Sequence, residues 1–389
     1  MNNLFQEKEL LQSKVLSSTV QQDNITKEIT TAFDFKFDGK ISFTMPRFKK
    51  PVDDFNVGLI VGPSGSGKSN ILQEFNTEEI IEWDNNKAVC SHFATHDEAI
   101  DKLSAVGFNT IPSWLKPYHV LSTGEKFRVD LAKRLKDNAV IDEFTSVVDR
   151  NVAKSCANAL GKYIKKQNLK NIVFASCHYD IIDWLQPDWV FDTTSNKVVG
   201  RRWERRPKIV LEIFPCSIEI WSLFRENHYL TGDINRSARC WIAIWQGNPV
   251  GFESAIPLPT GTIKEKCWRE HRLVILPDFQ GLGIGARFSE WLGESYLRQN
   301  IRFFSKTAHP RLGQYREHSD KWKPTSSNKK NLSKAYMTDL ERVRSGGNLI
   351  QNEEALLRHI NRICYSHEYI GVPKCTLNFL GQNYILVIF

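Results

Sequence analysis

The eight residues Gly62-Pro63-Ser64-Gly65-Ser66-Gly67-Lys68-Ser69 constrain this chain most, because an apolar run, Val57–Val61, leads straight into them. A glycine-rich turn between a strand and a helix calls for an α/β layer around it. It leaves successive backbone N–H groups free to cradle phosphate oxygens, with the positive end of the following helix behind them. The pattern assigns phosphate binding to Gly62, Ser64, Gly65, Gly67, Lys68, Ser69 and Asn70. Lys68 is expected to reach the terminal phosphates and Ser69 to put its hydroxyl on a Mg2+ ion. A second apolar run, Ala139–Phe144 (AVIDEF), ends in carboxylates. Asp142 is expected to hold the metal, and Glu143 to orient and deprotonate an attacking water.

Three further stretches narrow the class. LSTGE, from Leu121 to Glu125, opens a polar-then-amphipathic segment, LSTGEKFRVDLAKRL, with helical spacing. SVVD, from Ser146 to Asp149, follows Glu143, and His178 follows the apolar run NIVFA. In this order the set resembles the ABC ATPases, with their phosphate loop, LSGGQ-type element, catalytic acid, D-loop and switch histidine. The resemblance implies that the nucleotide is ATP and that Asp149 and His178 take the D-loop and switch positions. It also implies that Ser122 and Gly124 contact the γ-phosphate held by an opposite subunit, so that ATP bridges a head-to-tail homodimer.

The match has departures. Ser69 and Ser122 are only 53 positions apart, fewer than transporter ATPases use for their helical subdomain. No Q-loop glutamine is visible; the expected strand KAVCSHF, Lys87–Phe93, offers Ser91 and His92 instead. These reductions argue against a transport role and a membrane partner. No run of 18 or more apolar residues and no signal-peptide pattern occurs, and the eight cysteines show no C-x-x-C pairing. Together these features point to a cytoplasmic protein with reduced thiols.

Charge changes sign along the chain. Residues 1–200 hold 24 Lys+Arg against 26 Asp+Glu, whereas residues 201–389 hold 28 against 18. The basic stretch 201–208 (RRWERRPK) marks the boundary. The expected organisation is α/β with two domains: an N-terminal arm at 1–30, a compact ABC-type P-loop NTPase domain at 31–200, a basic linker at 201–208, and an α+β domain at 209–389. Early strands are expected in AFDFKFDG and KISFTM.

In the second half, KIVLEIF reads as a strand, SIEIWSLFREN as a helix, and RCWIAIWQGN with PVGFESAIP as a hairpin turning at Gln246-Gly247-Asn248-Pro249. An apolar strand, Arg272–Leu276, then runs through Pro277-Asp278 into Gln280-Gly281-Leu282-Gly283-Ile284-Gly285-Ala286 and an amphipathic helix. This glycine-rich turn also offers backbone donors suited to a pyrophosphate. It lacks the spacing and the downstream acidic residue of a dinucleotide fingerprint. The segment resembles the acetyl-CoA-binding motif of GNAT-fold acyltransferases. The resemblance implies acetyl-CoA or another acyl-CoA, its pyrophosphate on Gln280, Gly281, Gly283, Gly285 and Ala286 and its pantetheine arm along Leu273 and Ile275.

Acyl transfer needs a base and an acid. The candidates are His228, Tyr229 and Asp320, with Ser305, His309, Tyr315 and His318 as a wider pool. The basic run Lys321, Lys323, Lys329, Lys330 and Lys334, with Trp322 or Tyr315 to stack on a base, raises DNA or RNA as a partner. The fusion is similar to a known prokaryotic and phage architecture, an ABC-type ATPase joined to a predicted acetyltransferase. Its second half is similar to the phage Mom-type enzymes, which alter adenine in DNA. Acceptors left open are a nucleic-acid base and a protein or small amine with ATP as a dimerisation switch. A non-catalytic defence or repair ATPase is the third possibility.

Overall fold

The computed structural model describes residues 15–50, 54–200, 206–228, 234–259, 265–330, 364–371, 379–380 and 383–388. The chain forms two units: residues 1–82 with 122–206, and residues 83–121 with 207–389.

The first unit is built on a five-stranded sheet. Its strands are β3 (Val57–Val61), β4 (Val140–Ile141), β5 (Ile172–Ser176), β6 (Trp189–Asp192) and β7 (Lys197–Gly200), in the order β4-β5-β3-β6-β7. The first four are parallel, and β7 closes the edge antiparallel to β6. Every residue of β3 and β5 is buried, as expected of parallel strands covered on both faces. A small ribbon joins β1 (Val15–Thr19) to β2 (Lys40–Thr44). Among the described residues five helices belong to this unit: α1 (Asn24–Ala32), α2 (Lys68–Leu72), α5 (Thr123–Arg134), α6 (Arg150–Gln167) and α7 (Ile182–Leu185); the intervening α3 (His96–Ala105) and α4 (Ile111–Trp114) belong to the second unit. Phe48, Phe55, Trp189 and Phe191 pack into one aromatic core cluster with Ile60 and Ile71.

The second unit carries a nine-stranded sheet. Its strands are β8 (Ile209–Cys216), β9 (Arg239–Trp245), β10 (Asn248–Pro257), β11 (Cys267–Ile275), β12 (Arg302–Thr307), β13 (Trp322–Pro324), β14 (Tyr365–Tyr369), β15 (Phe379–Leu380) and β16 (Asn383–Ile388), in the order β13-β14-β12-β11-β10-β9-β8-β16-β15. Among the described residues the one parallel pair of this sheet is β11 with β12, bridged by α8 (Ile284–Leu297); α9 (Pro310–Glu317) follows β12.

Several local expectations give way. The helix after the phosphate loop has only five residues; Asn76 ends the region by accepting the Thr77 N–H on its own side chain. Only KISFT of the early strands forms, because Ala32 closes a helix and the backbone from Phe33 to Phe37 is irregular. Residues 83–121 leave the first domain for the second unit, and in place of the KAVCSHF strand stands a single 3-10 turn, Val89–His92. The expected SIEIWSLFREN helix is two 3-10 turns, Ile218–Leu223 and Arg225–Asn227. A three-residue period puts Trp221 and Phe224 on one face, and both are buried. The hairpin forms as expected, but its turn tightens to Gln246-Gly247, both at positive φ.

Candidate active sites

In the first unit the register brings the candidate groups to one end of the sheet. Val61 is level with Ser176, and Ile141 with Phe174, so the phosphate loop, Asp142-Glu143 and His178 all leave the carboxyl ends of adjacent strands. The Gly62 N–H donates to the Ser176 carbonyl at 3.3 Å. Gly67 caps α2 in the left-handed region (φ 87°), and Lys68 folds back over the loop, its Nζ donating to the carbonyls of Gly62 (2.9 Å) and Pro63 (2.7 Å). Ser64, Gly65, Ser69 and Asn70 are exposed. A five-residue helix carries little macrodipole, so an anion at this turn would depend mostly on the loop's own N–H groups and Lys68.

Asp142 accepts the Glu143 N–H at 2.8 Å, which bends Glu143 to φ 46° and turns its side chain out to solvent. Glu78, which sequence reading passed over, accepts the Asp142 N–H at 3.3 Å, and burial raises its carboxyl above the usual range. The Ser69 hydroxyl and the Asp142 carboxylate are the hard oxygen donors that Mg2+ takes together with phosphate and water, so the residues fit that ion. Among the described residues no three His, Cys, Asp or Glu side chains form a metal cluster. His178 faces the Thr145 hydroxyl at 3.1 Å; burial, then Arg150, lowers its pKa, keeping it neutral.

LSTGE forms a capping box. The Ser122 hydroxyl accepts the Glu125 N–H at 3.3 Å, and the Glu125 carboxylate accepts the Ser122 N–H at 2.9 Å. Nothing stands within 4 Å of a Cβ placed on Gly124. Asp149 caps α6 by accepting the Asn151 and Val152 N–H groups.

The second unit holds a cavity of about 370 Å³. Pairing of β11 with β12 runs only from Cys267 to Arg269, yet β11 continues to Ile275 and β12 to Thr307. The two strands part beyond that point, and the cavity occupies the opening. Leu273, Ile275, Gln280, Gly281, Gly283, Gly285 and Ala286 line it, together with His228. Gly283 caps α8 at φ 84° with open space where a side chain would stand. Asp320 is exposed and outside this lining, and Tyr229 lies outside the described residues.

Groups that sequence reading did not single out also line the cavity: Glu270 and His271 on β11, and Ser104, Asn109 and Ile111 from the 83–121 segment. The charged run Arg269-Glu270-His271-Arg272, inside a strand with apolar ends, was the available signal. Burial alone would raise the Glu270 carboxyl. Arg316 at 3.0 Å and the hydroxyls of Ser289 and Ser305 instead hold it below its ordinary range. Beside it, Glu253 is fully buried, and burial and the Glu270 charge raise its pKa well above the usual carboxylate range. His271 accepts the Asn235 N–H on Nε2 at 3.1 Å; burial, then Arg272 and Arg269, brings its pKa to about 4. His309 is also brought to about 4 by burial, while a hydrogen bond to the Asn109 main chain holds its ring. Its Nδ1 is buried without a partner. Tyr315 donates to Glu290, and burial with the Glu290 charge pushes its hydroxyl up to about 12.

Several of the expected stacking and basic groups are otherwise engaged, while Lys323 and Lys330 are exposed. Trp322 is buried under the Arg316 guanidinium at 4.4 Å, and Tyr315 points to Glu290. Lys321 pairs with Glu290 and Lys329 with Glu317, each at 2.8 Å; Lys334 lies outside the described residues. The seven described cysteines are free. Among the described residues no helix is long and apolar enough to cross a membrane.

The model of the acetyltransferase (GNAT) family matches residues 179–312, a span that holds β8 to β12, α8 and the glycine-rich turn. No curated protein matches the chain. Among solved structures, an ATP-binding cassette in a dimeric post-hydrolysis state with ADP and Pi aligns at 11% identity over 49% of this chain and 100% of its own, with a TM-score of 0.33. A ribosomal-protein-alanine N-acetyltransferase from Brucella melitensis biovar Abortus aligns at 16% identity over 28% of this chain and 88% of its own (TM-score 0.23). An aminoglycoside 6'-N-acetyltransferase complexed with coenzyme A does so at 16% over 36% and 77% (TM-score 0.20). The chain is an α/β protein of two units: a mostly parallel five-stranded sheet carries the glycine-rich loop, and the split nine-stranded sheet carries most of the span that the acetyltransferase (GNAT) family model matches.

Proposed function

We propose that this protein is an N-acyltransferase that takes its acyl group from acetyl-CoA or another acyl-CoA, joined to an ATP-hydrolysing unit that works as an ATP-bridged, head-to-tail homodimer. The observation that carries the acyl-transfer reading is the opening between β11 and β12, which ends at the open Gly283 turn. Backbone N–H groups from Gly281 to Ala286 would take the pyrophosphate, and the free edge of β11 near Leu273 the pantetheine arm.

In the transfer step a neutral amine attacks the thioester carbonyl carbon, a C–N bond forms, the C–S bond breaks, and the amine proton ends on sulfur. His309 is the better acceptor for that proton: it is neutral, its ring is held, and Nδ1 is unused. Glu270 is already saturated by Arg316 and two hydroxyls, and Nε2 of His271 is taken by Asn235. Tyr315 lines the same cavity and would serve as donor to the departing thiolate by giving up its hydrogen bond to Glu290, and His228, buried against Trp221, is a candidate for orienting the acceptor.

In the first unit Lys68 would bind the terminal phosphates of ATP. Ser69 and Asp142 would hold a Mg2+ ion, which when bound neutralises phosphate charge. Glu143, free at its carboxylate end, would accept the proton of the attacking water. Phe43, whose ring lies 3.0 Å from a Cβ placed on Gly67, is the best-placed aromatic to meet the nucleotide. Ser122 and Gly124 would reach the partner subunit's nucleotide. Glu143→Gln should then accumulate as an ATP-bound dimer in sedimentation; a monomer under saturating ATP would remove the sandwich.

A nucleic-acid base, as in Mom-type modification, is the second reading of the acceptor, favoured by the excess of basic residues after position 200. The deciding experiment is nucleoside mass spectrometry on DNA and RNA from cells expressing the wild type or Gly283→Trp, beside acetyl transfer to amines in vitro. A mass-shifted nucleoside made only by the wild type selects nucleic acid. Acetylated amine without such a nucleoside selects a protein or small amine. Failure of acyl-CoA to bind at all would remove the transferase.

A further inference from the structure

Chain order and spatial order part company at residues 83–121. In sequence they lie between the phosphate loop and the Ser122 cap of α5, yet they fold with the second unit. Their two ends are tied to each other. Trp83 stacks on Tyr118 with ring centroids 4.9 Å apart and planes within 4°, Ala88 bridges to Pro117, and the Val89 N–H donates to the Lys116 carbonyl at 3.0 Å. A displacement at either end is therefore carried by the segment as a whole.

Its far end rests on the glycine-rich turn. A Cβ on Gly107, at φ 75°, would stand 2.7 Å from the Gln280 carbonyl oxygen, so backbone lies against backbone there. The Asn109 N–H donates to Gln280 Oε1 at 2.8 Å. Gln280 Nε2 donates to the Thr110 hydroxyl at 3.1 Å and to the Ile275 carbonyl at 2.9 Å. One amide thus joins the segment, the end of β11 and the first residue of the turn. Arg311 of α9 adds a second tie, donating to the Asp101 carbonyl at 3.2 Å. The segment cannot shift without moving the turn or breaking these bonds.

We propose that Gly107, Asn109 and Thr110 are positioning residues for the acyl-CoA turn, and that through them acyl-CoA affinity depends on the nucleotide held by the phosphate loop. The inference rests on the acyl-CoA and ATP readings above. Two of the three points where the chain passes between the units, 82–83 and 121–122, bound this segment, and the second adjoins Ser122. Linkage then requires that each ligand change the other's affinity by the same factor.

Titration calorimetry on the full chain tests this with acetyl-CoA, in the presence and absence of a non-hydrolysable ATP analogue with Mg2+. The wild type should show a change of at least about fivefold in acetyl-CoA affinity, matched when the analogue is titrated with and without acetyl-CoA. Thr110→Val, which removes the hydroxyl that Gln280 contacts, should bring the factor below about twofold, and Thr110→Ser should restore it. Equal acetyl-CoA affinity with and without the analogue, when each binds alone, would overturn the proposal, as would full coupling in Thr110→Val. Absence of any acetyl-CoA binding would instead strike the underlying reading. Should Thr110→Val not fold, hydrogen exchange on the wild type decides: the analogue must alter protection at both 104–111 and 275–283, and unaltered protection refutes the link.

Discussion

Two glycine-rich turns in this chain have nearly the same backbone and quite different surroundings. Gly67 (φ 87°, ψ 10°) and Gly283 (φ 84°, ψ 9°) each cap a helix that leaves the end of a sheet strand. The first opens a five-residue helix, is packed by Phe43, and carries its own cation, Lys68. The second opens a fourteen-residue helix, faces open space, has no lysine at the matching place, and is braced from outside by residues 107–110. Under the proposed function the first turn would draw its charge from a side chain and the second from a long helix dipole, and their rigidity would come from within the loop in one case and from a neighbouring segment in the other.

The largest effects should separate the two turns by their ligands. Lys68→Ala removes the side-chain charge from the first turn, and ATP affinity should fall about 10- to 100-fold, since a hydrogen bond to a charged group contributes ~1.5–3 kcal/mol. Acetyl-CoA binding by the lone second unit's turn should survive in that variant. Gly283→Val should do the reverse, filling the open space and straining a left-handed position, with acetyl-CoA affinity down about tenfold or more and ATP affinity kept. Equilibrium titration of both ligands on both variants reads the crossing. If Lys68→Ala loses both ligands equally, the two turns do not serve separate ligands.

Packing gives the next contrast. Alanine at either glycine bears the left-handed penalty of roughly 1–2 kcal/mol. Only Gly67→Ala also drives a Cβ against the Phe43 ring, 3.0 Å away. Thermal unfolding should therefore show Gly67→Ala as the more damaging change, and equal losses would mean that Phe43 moves aside freely.

How far the sequence could carry this picture differs between the units for a physical reason. The proposed phosphate-loop groups would act through local backbone, so Gly62 to Ser69, Asp142 and Glu143 could be proposed from spacing alone. The cavity of the second unit is made by tertiary contacts. Its glycine turn was legible, but Glu270 needs Arg316 from 46 positions away to be understood, and Asn109 meets Gln280 across 171. The assignment of 83–121 to the first domain followed chain order, and no local pattern in those residues signals Gln280 as their partner. Likewise Trp322 read as a stacking aromatic in a basic run, whereas Arg316 and Tyr369 enclose it.

LSTGE allows a smaller test. Its capping box is a reason for Ser122 and Glu125 that needs no nucleotide. Ser122→Ala should cost about 1 kcal/mol of stability in the first unit without ATP, as lost caps usually do. A role across an ATP-bridged dimer predicts in addition a loss of ATP-driven dimerisation in sedimentation, which Glu125→Gln, keeping the box, should not show. Stability loss with dimerisation intact would leave Ser122 a cap only.

The smallest contrast is in pH. His271 and His309 in the second unit are held neutral down to about 4 by burial, and His367 is shifted in the same direction for the same reason. Their folded pKa values lie below the unfolded value of about 6.5, so the unfolded chain binds more protons between those limits. The stability they contribute is present above about pH 6.5 and is lost as pH falls through that window. Glu253 works in the opposite sense. Its carboxyl is raised, so the stability of its protonated form is lost as pH rises above the ordinary carboxylate value. Glu253→Gln keeps the shape of the protonated acid and removes that opposing titration. In this variant the urea midpoint of the second unit should fall from pH 7 to pH 5, and His309→Gln added to it should flatten the fall. A midpoint that holds level across that range in Glu253→Gln would mean that the cavity histidines charge without cost, and His309 could not then be the neutral proton acceptor of the transfer step.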